Sequence, residues 1–471
     1  MQKWRFKSKR RKKYRINLLN DVDLSKDGQV RYPGNAQLCY NVDASLGALK
    51  KSKSLGTSYL NSSTINKGKY VTYYDKGNGY IVIVGENGNL VWLKGYGDGN
   101  FKGKSSCAPV FSGTPRSIPY TLNDENVLFF SDPSYGLFVW NGEGEPVRLE
   151  NAPLIKNMTV HNERLFVTVQ DDPYTLWFSD DLDPTNWNIS LTGAGFIKFT
   201  DERGKLLNMI SYGGYLYLFR EYGISRLNAY GEQTDFAITH LFTPSGRIYE
   251  DTVTLCGDRI MFCSSDGIFS FDGANTTRVL YCLDGYYSVR QNSCANYYDG
   301  KYFVATYNEF NDESLGADES YACVNNCLLE YNVFTKKFIL HRGVDVRNIC
   351  PVRNVNVVFV DDKNNLCIFD NSDTEYGGDM KEYFDFYGRW EMPECDLGVP
   401  DEEKFLHSLT FYCNGNAEVT IKSEYETKTF VVDASERLKE VIINIFGTVF
   451  SVNFKLLDRY MRIAKPTFIF S

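Results

Sequence analysis

Leu206–Phe242 reads LLNMISYGGYLYLFREYGISRLNAYGEQTDFAITHLF. It divides into four short apolar runs, LNMISY, YLYLFRE, GISRLNA and FAITHLF, parted by Gly213-Gly214, Tyr222-Gly223 and the polar stretch Gly231–Asp235. Runs of this length, rich in Tyr, Phe, Leu and Ile and bounded by Gly or Asp, are predicted strands. Four in succession with tight connections make one antiparallel meander sheet.

The same unit recurs along most of the chain. Its second and most apolar strand is the clearest anchor: YIVIVGE from Tyr80, NVLFFSD from Asn126, RLFVTVQ from Arg164, YLYLFRE from Tyr215, RIMFCSS from Arg259, KYFVATY from Lys301 and NVVFVDD from Asn356. Anchors roughly 40 to 55 residues apart have the period of propeller blades, not of helical repeats. A lone four-stranded sheet with two apolar faces cannot bury both. Set radially, each blade covers its neighbour, and closing the ring leaves only short outer edges. The anchors lack period-2 alternation, which fits strands sandwiched between neighbouring sheets.

The predicted fold is therefore all-β: a seven-bladed β-propeller, with six or eight blades as the alternatives, followed by a small C-terminal β-sandwich-like domain. Residues 1–20 form a basic N-terminal arm and 21–67 a lead-in segment with a hairpin. Residues 68–379 form the propeller, 380–403 a linker or closing strand, and 404–471 the C-terminal β domain. In the last of these, Asn414-Gly415 marks a hairpin.

Of 471 residues 43% are hydrophobic and 23% charged, ordinary values for a globular chain, while the aromatic fraction of 15% favours sheet. A formal net charge of −8 speaks to solubility alone. No apolar run approaches the roughly 18 residues of a membrane-spanning helix, and the basic N-terminus lacks the apolar stretch of a secretory signal. Several of the twelve Cys (Cys256, Cys263, Cys350, Cys367, Cys413) fall inside apolar strand runs, as expected of reduced thiols in a chain made in cytosol.

Local signatures of chemistry are sparse. HExxH, GxSxG and GxxxxGK[ST] do not occur. Cys323, Cys327 and His341 offer at most three zinc ligands, where a structural site takes four. The acidic loops Asp180-Asp181-Asp183 and Glu309, Asp312, Glu313, Asp318, Glu319 read as solvated turns, although a glycosidase needs only two carboxyls about 5–10 Å apart. Trp92, Trp140, Trp177 and Trp187 are candidates for stacking on sugar rings, three of them inside third strands where inter-blade packing is the plainer role. No cofactor or metal is expected. The strongest interaction candidate is the basic run Met1–Arg15, with Lys3, Arg5, Lys7, Lys9, Arg10, Arg11, Lys12, Lys13 and Arg15 interleaved with Trp4, Phe6 and Tyr14.

Four segments carry a family resemblance. They are Gly34-Asn35, Asn41 and Gly47-Ala48-Leu49-Lys50-Lys51 before Gly56; Leu176-Trp177-Phe178-Ser179 with Pro184-Thr185-Asn186-Trp187; the hairpins at Gly223-Ile224 and Asp266-Gly267-Ile268-Phe269; and Pro393, Asp396-Leu397-Gly398 and Lys404-Phe405-Leu406. Together they resemble the β-propeller virion proteins of tailed bacteriophages, of the tail hub, nozzle or packaged-DNA-stabilisation type. The resemblance implies a non-enzymatic structural role in a homo-oligomeric ring, commonly sixfold, below the portal and adaptor, lining or closing the DNA exit channel. The basic arm would then dock on an acidic ring above or touch packaged DNA. A carbohydrate- or receptor-binding propeller, and after it a propeller glycosidase, are the alternatives.

Overall fold

The computed structural model describes residues 10–25, 31–57, 67–95, 101–190, 193–242, 246–284, 288–289, 292–307, 325–342, 345–353, 356–370, 387–433, 437–458 and 461–471. Seven four-stranded antiparallel sheets follow one another along the chain. Blade 1 runs Tyr70–Tyr74, Tyr80–Val84, Asn89–Gly95 and Phe101–Pro109, and blade 2 Arg116–Leu122, Glu125–Asp132, Gly136–Trp140 and Val147–Leu149. Blade 3 holds Ile155–His161, Arg164–Val169, Thr175–Phe178 and Gly195–Lys198. Blade 4 is the opening stretch, as Leu206–Tyr212, Tyr215–Arg220, Gly223–Asn228 and Ala237–Phe242. Blade 5 spans Thr254–Val279, blade 6 spans Ala295–Arg342, and blade 7 begins at Val346–Val352, Asn356–Asp361 and Leu366–Asp370. All seven anchor runs are second strands.

The first strands face the ring axis, each against the first strand of a neighbouring blade. Between blades lie separate apolar cores. Leu216 and Leu218 of blade 4 pack with Phe166 and Phe178 of blade 3, while Tyr217 and Phe219 point the other way, to Phe262 and Phe271 of blade 5. One strand thus serves two cores, which is why its sequence is apolar at successive positions.

The turn after the first strand repeats as well. It is Asn123-Asp124, Asn162-Glu163, Gly213-Gly214 and Asp299-Gly300 in blades 2, 3, 4 and 6, with φ positive at both residues. A two-residue hairpin with two left-handed residues matches the right-handed strand twist, and Gly, Asn and Asp adopt it at least cost.

The ring is closed from the N-terminal side. Ser54–Thr57 pairs with Leu366–Asp370 as the fourth strand of blade 7, so the first and last parts of the propeller lie in one sheet. The expected closing strand within 380–403 is corrected accordingly. Gly388–Glu391 pairs instead with Phe450–Leu456 and Leu38–Tyr40.

That strand belongs to a two-sheet sandwich. One sheet orders Thr427–Val432, Ala417–Ser423, Phe450–Leu456, Gly388–Glu391 and Leu38–Tyr40. The other orders Leu438–Gly447, Lys404–Asn414, Arg462–Phe470, Leu49–Lys51 and Val42–Asp43, with Lys12–Arg15 beside Arg462–Phe470. The expected division into an arm over 1–20, a lead-in over 21–67 and an independent domain over 404–471 is therefore also revised. Residues 404–471 alone would leave Phe450–Leu456 and Arg462–Phe470 as open, apolar edges; Gly388–Glu391 covers the first, and the N-terminal strands Leu49–Lys51 and Lys12–Arg15 cover the second.

Sandwich and propeller share one core. Trp390, Phe411 and Phe454 are contiguous with Tyr302, Tyr331 and Leu340 of blade 6. At the seam Asn41, in the left-handed region at φ 54°, donates its backbone N–H to Leu340 O at 2.7 Å. Its side-chain oxygen accepts the backbone N–H of Arg342 at 2.9 Å, and the Arg342 guanidinium lies 4.6 Å from the Tyr40 ring centre.

Candidate functional site

Three first strands carry an asparagine at a bulge: Asn157, Asn208 and Asn348. A bulge re-aims the side chain that it displaces, here toward the next blade. Asn157 donates to Leu207 O at 2.7 Å and Asn208 to Glu250 O at 3.1 Å, while Asn348 accepts the backbone N–H of Val71 at 3.1 Å. In blade 6 Asn296 donates to Ile349 O at 2.9 Å. These amides tie neighbouring first strands together around the axis.

The same region gathers charged side chains from several blades. The short 3-10 turn Glu250–Thr252 ahead of blade 5 presents two carboxylates. Glu250 meets Lys156 of blade 3 at 2.5 Å and also accepts from Asn157. Asp251 meets Arg116 of blade 2 at 2.5 Å, linking blades that are not neighbours. The side chains of Arg116 and Asp251 keep 40% and 30% of their exposure, so the pair is deep in the ring yet wet. Burial works against the Arg116 charge, but the Asp251 carboxylate more than offsets it and the guanidinium's pKa is raised. On the blade 7 side Arg347 pairs with Asp345 at 3.0 Å.

This arrangement performs no obvious acid–base chemistry. Each carboxylate is already engaged by a cation, Glu250 by Lys156 and Asp251 by Arg116. It is a latch across the axis: the Arg116–Asp251 bridge spans the propeller's own lumen.

A second constellation resembles a nucleophile, base and acid. Ser225 Oγ lies 2.8 Å from His240 Nδ1, and His240 Nε2 lies 4.0 Å from Asp201. Ser225 is fully buried, however, and Asp201 is held bidentately by Arg220 at 2.6 and 2.8 Å. Although burial opposes ionisation, the Arg220 bond brings the Asp201 pKa down. A buried hydroxyl beside a committed carboxylate offers a substrate no approach.

Lys3, Arg5, Lys7 and Lys9 lie outside the described residues. Arg10 and Arg11 are exposed, and Lys12, Lys13 and Arg15 are exposed members of a sandwich strand whose Arg15 Nε donates to Thr467 at 3.3 Å. The cationic run is thus partly built into a sheet instead of being a free tail. Asp180 accepts from the N–H groups of Asp181 and Gly193 at 2.9 Å and from Asn186 at 3.1 Å, and Asp183 accepts from Thr185. Both carboxylates organise their own loop. Glu309, Asp312, Glu313, Asp318, Glu319 and Cys323 lie outside the described residues. Cys327 is buried with its thiol pushed up to about 12 by that burial. His341 is bound to Glu330 at 3.0 Å, and Lys301 also pairs with Glu330. Burial alone would raise the Glu330 pKa, but His341 and Lys301 bring it down to about 2.

Trp92, Trp140 and Trp187 are buried, and Trp92 packs edge-on to Trp140 at 5.3 Å. Trp177 is half-buried and pairs with the exposed Phe196 at 5.1 Å. Among the described residues no cluster of His, Cys, Asp and Glu has the makings of a metal site, and no helix is long and apolar enough to cross a membrane. Sequence reasoning missed the axial latch, whose only trace is the scattered charges at the starts of first strands.

No family model matches the chain, and no curated protein does. Among solved structures it is similar to BBS1N in complex with ARL6DN (12% identity, TM-score 0.42), covering 67% of this chain and 96% of that one. It is similar to BamB from Moraxella catarrhalis at 13% identity and TM-score 0.37, covering 65% and 84%. The extracellular domain of BT4673 from B. thetaiotaomicron matches at 12% identity and TM-score 0.40 over 83% of this chain, which spans about half the length of that structure. Such likenesses bring no ligand or partner to this chain.

Proposed function

We propose that the chain is a structural subunit of a bacteriophage tail, a hub, nozzle or connector component that assembles as a homo-oligomeric ring. In this reading the ring lines or closes the DNA exit channel and anchors neighbouring tail components such as a portal–adaptor complex. The family resemblance suggests it. The observation that carries it is the path of the N-terminal segment. One continuous stretch places a cationic strand on the sandwich at Lys12–Arg15, crosses the seam at Asn41 and closes blade 7 at Ser54–Thr57. A partner gripping that strand would load the whole chain, as a tail joint requires. The Arg116–Asp251 bridge bars the propeller's own lumen, so duplex DNA would pass between copies, not through one.

The test is proteomic and structural analysis of virions from a phage that encodes the chain. Presence in stoichiometric multiples at the tail supports the reading, and absence from the virion ends it. Charge reversal of Arg10, Arg11, Lys12 and Lys13 should cost incorporation while leaving the sheet intact, and unchanged incorporation would discard the strand as an anchor. The carbohydrate-binding reading keeps one favourable observation, the surface pair Trp177–Phe196. A glycan array with wild type and Trp177→Ala tests it.

A further inference from the structure

The outer face of the six-stranded sandwich sheet is both apolar and cationic in a chain of net charge −8. Its last strand, Leu438–Gly447, alternates strictly, burying Val441, Ile443 and Ile445 and exposing Leu438, Ile442 and Phe446. Leu438 sits opposite Tyr412 of the next strand, itself 46% exposed, and Tyr412 sits opposite Ala464 of the third. Beside them Arg437, Arg462 and Lys465 converge with Tyr412 on a cleft of about 480 Å³. None of these three cations has an ion-pair partner among the described residues, and the one acidic residue on the exposed side of this edge strand, Glu440, is bonded to Ser408. The strand's outer backbone edge pairs with no other described strand.

The rim of blade 2 carries the opposite character. A cleft of about 400 Å³ is lined by Glu125, Glu143, Glu145, Trp140 and Val147. Val147 is 62% exposed, Asp124 and Glu150 are exposed nearby, and Arg148 is the local countercharge. Glu125 is already paired with Lys76, whereas Glu143 and Glu145 have no cation among the described residues.

We propose that the sandwich face docks on the blade 2 rim of a second copy of this chain, with Arg437, Arg462 and Lys465 against Glu143 and Glu145. The aliphatic Leu438 and Ile442 argue for a protein partner over a phosphate backbone, since interface cores are apolar and their charged borders set orientation. The two patches differ, so the contact is heterologous and repeats head to tail, closing a ring or growing a filament. This deepens the ring reading but rests on charge and shape, and it stands or falls apart from any place in a tail.

Two variants of exposed residues test it, Arg462→Glu with Lys465→Glu and Glu143→Lys with Glu145→Lys, each checked for unchanged circular dichroism. Sedimentation of the wild type at tens of micromolar should show oligomers, and each variant alone should be monomeric. An equimolar mixture should regain oligomers that alternate the two variants, because every contact between unlike chains sets opposite charges face to face. A chain bearing both reversals should assemble again. A monomeric wild type, a variant that assembles normally, or a mixture that stays monomeric overturns the interface. Oligomers that obey these rules in a chain absent from virions would end the tail reading alone.

Discussion

Arg116 of blade 2 and Asp251, which leads into blade 5, meet at 2.5 Å across the propeller axis. The blades they belong to share no sheet and no apolar core, so this contact adds a diameter to a ring held mainly along its circumference. Both side chains keep about a third of their exposure, so solvent screens them. Arg116→Ala should lower stability by only about 0.5–1 kcal/mol. The loss should shrink further in molar salt, where the Debye length falls to about 3 Å. Chemical denaturation at low and high salt measures both. A loss several times larger would mean that the bridge is effectively dry.

Ring closure makes a different demand. Residues of an edge strand alternate in pointing N–H toward and away from the partner, so of Leu55 and Gly56 one must donate to Leu366–Asp370. Proline removes that donor. Of the two replacements Leu55→Pro and Gly56→Pro, the one that hits the inward N–H should therefore be the costlier. Blade 7 should then show selectively faster amide exchange, while the sandwich strand Ala417–Ser423 keeps its protection. Equal, small effects from both would show that the ring closes without this strand.

The propeller was legible because each second strand lies between two cores. Leu216, Tyr217, Leu218 and Phe219 are consecutive apolar residues with no helical period, and the pattern repeats seven times. The pairing of Ser54–Thr57 with Leu366–Asp370 was not legible, since it joins segments some 300 residues apart and neither carries a local mark of the other. Gly388–Glu391 is too short to announce which sheet it enters. The axial latch was hidden for another reason: Arg116 and Asp251 read as surface charges, and only closure of the ring turns them toward each other. The bulge asparagines Asn157, Asn208 and Asn348 were present shortly ahead of three anchors and would have emerged from aligning the blades on their first strands.

Glu163 occupies a turn position where its counterparts are Asp, Gly and Gly, at φ 64°. A side chain with a Cβ is strained there by roughly 1 kcal/mol. Glu163→Gly should raise stability by up to about 0.5 kcal/mol after the added freedom of the unfolded chain is counted. The backbone carbonyl of Glu163 accepts the Tyr120 hydroxyl at 2.9 Å, a bond that the replacement keeps. A shift of the denaturation midpoint to higher denaturant at constant slope checks it.

Asp21 lies in the seam, 7% exposed. Burial pushes its carboxyl up to about 7, with Lys337 of blade 6 opposing, Asp43 reinforcing and the Ala44 N–H opposing. Cys39 and Cys282 also face it, and Asp23 stands near Cys282; burial raises both thiols, so they stay neutral across this range. A carboxyl that binds its proton more tightly when folded stabilises fully below its unfolded pKa near 4. That stability declines as pH rises toward 7, and the loss is complete above it. At about 1.4 kcal/mol per unit, the shift is worth on the order of 4 kcal/mol. Glu330, lowered to about 2, acts in the opposite sense, losing its contribution only as pH falls from about 4.5 toward 2. The seam should therefore be tightest near pH 4 and looser at pH 8. Asp21→Asn should raise stability at pH 8 and flatten the profile between pH 5 and 8, as read by denaturation across that range. A variant that keeps the wild-type slope would place the titrating group elsewhere in the seam.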